Sequence, residues 1–154
     1  MAREIMKKIL LAVISVLLMG CQQGVVYTEF ASLPNAGWEA DSMVCFTPVL
    51  TDTVGSYDMS IVMRHTDRYA YQNLWLFVDV KADSVVIRRD TINGMLADEK
   101  GNWYGKGMYI FELPLLYLQD VELAAGAYEV TLQQAMREDT LCGLTDIGLK
   151  VLKR

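Results

Sequence analysis

Tyr57-Asp58-Met59-Ser60-Ile61-Val62-Met63-Arg64 alternates with a period of two. Tyr57, Met59, Ile61 and Met63 fall on one side, while Asp58, Ser60 and Arg64 fall on the other. Successive side chains of an extended chain point to opposite faces, so this pattern predicts a strand with one face in a core. After the polar connection His65-Thr66-Asp67-Arg68, the run Leu74-Trp75-Leu76-Phe77-Val78-Asp79-Val80 is apolar on both sides, as a central strand would be. Val85 to Arg89 supplies its partner, with Lys81-Ala82-Asp83-Ser84 as a hairpin loop.

The same reading extends in both directions. Val25 to Phe30 and Met43 to Leu50 are extended pieces, and Pro48, lacking an amide donor, marks an edge or a strand end. Thr51 to Ser56 has turn chemistry. Downstream, Met108 to Leu113 is extended and stopped by Pro114. Leu115 to Leu123 is equally compatible with a helical turn and a strand. Tyr128, Val130 and Leu132 alternate inward against Glu129, Thr131 and Gln133, and Gly148 to Leu152 closes the chain. Seven to nine short strands separated by Gly, Asn and Asp predict an all-β fold, an antiparallel β-sandwich or jelly-roll-like single domain. No repeat and no low-complexity tract interrupts it.

The first twenty residues carry a different signal. Arg3, Lys7 and Lys8 precede the apolar run Ile9 to Leu18, and Leu18, Met19, Gly20 and Cys21 form a lipobox. A run of about ten residues is too short for a bilayer span, which needs about 20, and Gly20 is the small residue that a signal peptidase requires. A permanent membrane helix and an ordinary secretory signal are the weaker alternatives. The chain therefore divides into residues 1–20 as a lipoprotein signal peptide, 21–35 as lipidated N-terminus and tether, and 36–154 as the sandwich domain. A start at Met1 or at Met6 leaves this unchanged. Cys21 is expected to take the lipid because a thiolate is the nucleophile. Several acyl chains on one residue hold a bilayer firmly, whereas one chain, at about 0.8 kcal/mol per buried methylene, binds marginally. Gln22 and Gln23 follow, so the Asp that retains lipoproteins at the inner membrane is absent. The expected location is the outer membrane, lipid-anchored on its periplasmic face.

Removing residues 1–20 takes three of fourteen basic and one of nineteen acidic side chains, leaving eleven against eighteen and a formal charge of −7. Nucleic acid and anionic lipid surfaces are bound by clustered Lys and Arg, so neither is the expected main partner. The remaining length is that of one ordinary domain. Cys45 and Cys142 remain for a candidate disulfide, which an oxidising compartment permits; Cys45 is equally readable as a small buried hydrophobe. Neither has a second Cys or a His at ligand spacing, so no metal site is expected.

Candidates for chemistry are few. His65 is the only histidine and has no Ser or Cys beside it to form a nucleophile pair, so it reads as a turn residue at a strand end. Asp98 and Glu99 beside Lys100 read as a solvated turn, and no catalytic residue or cofactor is expected. Gly101-Asn102-Trp103-Tyr104-Gly105-Lys106-Gly107 lacks the strand, loop and helix context of a phosphate cradle. Its bland reading is a tight turn with Trp103 packed on the sheet. The sharper one is an aromatic platform of Trp103 and Tyr104 with Tyr69 and Tyr71, facing glycan or a protein partner.

Four stretches, Trp38 with Phe46, RHTDRYAYQNLWLF (Arg64 to Phe77), LADEKGNWYGKG (Leu96 to Gly107) and QAMREDTLCGLTDIGLKV (Gln134 to Val151), resemble the gliding-motility lipoprotein GldH family of Bacteroidetes. The resemblance implies a non-enzymatic envelope lipoprotein with scaffolding partners in gliding or the linked type IX secretion machinery, and it carries over no catalytic residue. No acidic cluster of the kind that serves surface export in such lipoproteins follows Cys21. Cys45 and Cys142 do not belong to the family pattern, which weakens a structural disulfide. Arg64, Asn73 and Arg137 lie inside the family-like stretches; they either staple loops by hydrogen bonds or face a partner. A glycan- or peptidoglycan-binding lipoprotein is the alternative function.

Overall fold

The alternation at Tyr57 to Met63 does what it predicts: Tyr57, Met59, Ile61 and Met63 are fully buried. The computed structural model describes residues 24–154, which hold nine strands and, among them, no helix. These are β1 (Val25–Ser32), β2 (Trp38–Glu39), β3 (Met43–Phe46), β4 (Val49–Thr66), β5 (Asn73–Ala82), β6 (Val85–Met95), β7 (Ile110–Gln134), β8 (Thr140–Leu141) and β9 (Leu144–Lys153). The lipobox and Cys21 lie outside the described residues.

All pairings are antiparallel. Residues 110–127 of β7 pair with β4, which pairs with β9, which pairs with β1. Residues 128–134 of β7 run between β3 and β5, and β5 pairs with β6. One strand of 25 residues thus belongs to two sheets. The two sheets face each other across a single core: the Met63 side chain of the first sheet meets Gly94 of the second, and Leu74, Leu76, Val78, Val80, Val130 and Leu132 close on Ile147, Leu149 and Val151. This is an antiparallel β-sandwich, as expected, with a two-stranded ribbon of β2 and β8 added at one end.

Several local expectations are corrected. The stretch 21–35, read as a tether, contains β1, which pairs from Val25 to Ser32 with β9, so the folded body begins at Val25 and not at 36. Thr51 to Ser56 is a register shift inside β4 rather than a turn. Pro114 does not end a strand: it sits opposite Val62 on β7, whose other side is an open edge there, so the missing amide costs no ladder bond. The ambiguous segment 115–123 is strand, kinked at Asp120 (φ +52°), whose amide donates to the Asp58 carboxylate at 2.8 Å. The hairpin between β5 and β6 needs only Asp83 and Ser84, both left-handed, as a tight two-residue turn demands. β5 is a central strand between β7 and β6, as expected, but it is not buried on both sides: Leu74, Leu76, Val78 and Val80 are buried, while Trp75 and Phe77 point outward and are 40% and 48% exposed.

The sheet registers also fix which loops meet. Val25 lies level with Leu152 and Tyr57 with Lys153, so the start and end of the described chain share one end of the sandwich. Ser32 pairs with Asp146, Arg64 with Asp146 and Glu112, and Thr66 with Ile110, which defines the other end. The nine-residue rise from Tyr57 to Thr66 separates the ends by roughly 30 Å at about 3.3 Å per residue.

Candidate functional site

The loops 33–42, 67–72, 96–109 and 135–143 gather at the end away from Val25, and into them run all four stretches singled out in the sequence. Short bonds tie them together. Trp38 is buried, pairs with Leu141 and donates its indole N–H to the Ser42 carbonyl at 3.0 Å. Buried Gln134 spans its own turn, donating to the Glu138 carbonyl at 2.8 Å and accepting from the Met136 amide at 2.9 Å. Tyr71 bonds Glu138, joining the 67–72 loop to the 135–143 loop. Gly143 takes a left-handed φ of +91° with the Tyr69 amide so close that an added Cβ would lie 2.5 Å from it; only glycine fits there.

Beneath these loops lies an aromatic cluster around His65. The histidine stands at a strand end, as expected, but as the penultimate residue of β4 and fully buried rather than in the turn. Its ring meets Trp103 edge-on at 4.4 Å between centroids, stacks with Phe111 at 5.4 Å and lies 5.9 Å from Tyr69. Nδ1 donates to the Thr66 carbonyl at 2.9 Å, leaving Nε2 buried without a protein partner. Burial pushes its pKa down from the ordinary value, so the ring is neutral and packed, not presented for proton transfer. The Asp98 carboxylate accepts from the Asn102 side chain and from the Lys100 and Asn102 amides, all at 2.8 Å, which lowers its pKa and fixes the turn.

The expected aromatic platform does not assemble. Tyr69 is buried with its hydroxyl on the Asn73 carbonyl at 2.8 Å, and Trp103 and Tyr71 are half-buried. Tyr104 alone of the four is exposed. What does project is a segment read from sequence as strand: Met108 and Tyr109 are 84% and 82% exposed, and Ile110 and Tyr104 stand beside them. Sequence reasoning missed this tip because Met-Tyr-Ile after Gly105-Lys106-Gly107 reads as the start of a strand. Two open clefts flank it. One of about 780 Å³ is lined by Arg64, Tyr104, Lys106, Ile110, Glu112 and Asp146. The other, of about 540 Å³, is lined by Thr66, Asp67, Arg68, Tyr109, Cys142 and Thr145.

Arg64 and Asn73 bond across neighbouring strands rather than between loops. The Arg64 guanidinium donates to Glu112 at 2.7 Å and caps the Phe30 ring at 3.9 Å, while Asn73 donates to the Asn93 side chain at 2.8 Å. Phe30 lies so close over Gly148 that a Cβ there would fall 2.6 Å from its ring. Arg137 is exposed and lines a cleft with Tyr71, Asn73 and Trp75. Cys45 and Cys142 are free and both exposed, so the candidate disulfide is not formed and Cys45 is not a buried hydrophobe. Among the described residues no three His, Cys, Asp or Glu side chains gather as a metal site would need.

Fold and site together define a small antiparallel β-sandwich protein with one elaborated loop end. A family profile described as GldH lipoprotein matches residues 25–151. The chain is 31% identical over 150 residues to the gliding motility lipoprotein GldH of Flavobacterium johnsoniae, covering 92% of this chain and 93% of that one. It is likewise 31% identical over 147 residues to a GldH homolog of Christiangramia forsetii, covering 90% of each. The chain belongs to the GldH lipoprotein family. Among solved structures, an uncharacterized protein from Listeria monocytogenes aligns with 82% of this chain and 11% of its own at 16% identity and a TM-score of 0.44, a likeness too low to bear on function.

Proposed function

We propose that this protein is a non-enzymatic adaptor of the gliding apparatus or its linked secretion machinery, moored by acylated Cys21 to the periplasmic face of the outer membrane. In this reading residues 1–20 are the signal peptide that is removed. The exposed tip Tyr104, Met108, Tyr109 and Ile110 carries the proposal. Exposed apolar side chains gathered at one end mark contact surfaces, and these, with Tyr109 on one cleft and Tyr104 and Ile110 on the other, lie at the end opposite Gly24, three residues after the proposed anchoring cysteine. A lipid on Cys21 holds the other end near the bilayer, so the tip faces away from it and toward an envelope protein. The names of the two relatives support gliding as the setting.

A photo-crosslinking amino acid at Tyr109, compared with one at Val54 near the anchored end, tests this in living cells. The expected result is a discrete protein adduct from position 109 and none of that mass from position 54. Identical adducts from both sites, or none from 109, overturn the adaptor reading. Cys21→Ser that still labels with fatty acid and stays with membranes overturns the mooring.

A further inference from the structure

We propose that the outward face of the second sheet is a binding site for an uncharged polysaccharide, with Trp75 and Phe77 stacking on its sugar rings. The two aromatics are two residues apart on β5, hence side by side on one face about 7 Å apart, and no described element covers them. Large aromatics half-open on a sheet face are unusual in a protein whose other side of the same strand is wholly buried.

Their surroundings select the ligand. Across the strands, Trp75 is opposite Asn93, and Phe77 lies between Thr91 and Gln133. Asn73 and Thr131 continue this lining of amides and hydroxyls. Most charges on the face are paired: the Arg89 guanidinium forks onto Asp79 with bonds of 2.9 and 2.8 Å, and Lys81 holds Glu129 at 2.6 Å, while Arg137 lines the cleft beside Trp75 together with Glu138. A nucleic acid would need a cluster of free cations. The core of a protein interface would be a contiguous apolar patch, but here Asn93, Thr91 and Gln133 flank the aromatics across the strands, and Met43 shares the cleft beside Phe77 with Asp79, Arg89 and Thr131. A sugar ring has the matching chemistry, with C–H faces for aromatic rings and a rim of hydroxyls for amides. Two open clefts, about 340 Å³ beside Phe77 and about 580 Å³ beside Trp75, extend the face along the strand, which suits a chain rather than a single small molecule. This face is separate from the loop tip, so it stands whether or not a protein docks there.

The test uses the acylated protein in lipid nanodiscs, titrated with hydroxyethylcellulose, chitohexaose, laminarin and anionic alginate while the heat of binding is followed by calorimetry. Sedimentation with purified peptidoglycan sacculi forms a separate arm. Saturable binding of at least one neutral glycan, weakened at least about tenfold by Trp75→Ala and by Phe77→Ala but not by Trp103→Ala, is the expected result. Both variants should still unfold cooperatively with a Tm lowered by only about 4 °C, which separates lost binding from lost folding. Retention on sacculi identifies peptidoglycan as the source, and binding of glucans alone identifies an envelope or external polysaccharide. Absence of binding to every neutral glycan and to sacculi, equal binding by the two variants, or capture of a protein on this face that glycans do not displace, overturns the proposal.

Discussion

Leu76 and Phe77 are neighbours in sequence and opposites in environment, and replacing each with alanine should separate them sharply. Leu76 is fully buried in the centre of the sandwich, whereas nearly half of Phe77 is in solvent. Leu76→Ala removes three carbons at about 0.8 kcal/mol each and leaves a cavity between two sheets that are held by many other contacts, so a loss of about 3 kcal/mol is expected. Phe77→Ala removes more atoms but only half of their surface was buried, and its solvent side leaves no enclosed void; about 1 kcal/mol is expected. For a folded body of this size, Tm falls by about 4 °C per kcal/mol, giving drops of about 12 °C and about 4 °C. Thermal unfolding followed by circular dichroism, with urea titration to check that the m-value is unchanged, measures both. Equal losses, or a larger loss for Phe77→Ala, would refute the placement of β5 with one dry face and one wet face.

Burial depresses the pKa of His65, so the unfolded chain takes up its proton first. Stability from this group is present above the unfolded value of 6.5 and declines as pH falls below it; unfolding between pH 7.5 and pH 5.5 should show that decline in the parent and not in His65→Phe. Gly143→Ala forces a side chain into a left-handed position against the Tyr69 backbone and should cost more than about 1 kcal/mol, read as a lowered urea midpoint; an unchanged midpoint would contradict the close approach. Cys45 and Cys142 should both react with a maleimide in the native, unreduced protein, and protection of the pair until reductant is added would establish a bond between them after all.

The architecture was legible where a single physical rule governs. One face of β4 takes only apolar side chains and the other mixes Asp58, Ser60 and Arg64 with Val62, so period two appears in the letters from Tyr57 to Met63 even though Ser60 and Val62 are buried as well. The same rule recovers Tyr128, Val130 and Leu132. It fails on β5 because Trp and Phe are written alike whether covered or open, and only the position of the strand in the sheet tells which. It reads the extended piece from Val25 to Phe30 but not its membership of the sandwich, because the partner of Val25 is Leu152, at the far end of the chain, and no local pattern announces that pairing. Pro114 misleads for a related reason: its effect depends on whether the side lacking an amide has a neighbour. At the site, the resemblance marked the right stretches, yet their residues divide into a buried aromatic cluster and an exposed tip that composition alone does not distinguish. His65 and Tyr69 belong to the first, Met108 and Tyr109 to the second.

The pairing of β1 with β9 has a mechanical meaning. If the membrane pulls on the chain ahead of Gly24 while a load is held at the opposite end, the pull runs along β1, and its ladder to β9, from Val25 to Ser32, is strained lengthwise. Bonds loaded in that direction share the force and must yield together, unlike those of a hairpin peeled open from its tip. Such a connection resists traction far better than its modest length suggests, as the proposed mooring would require.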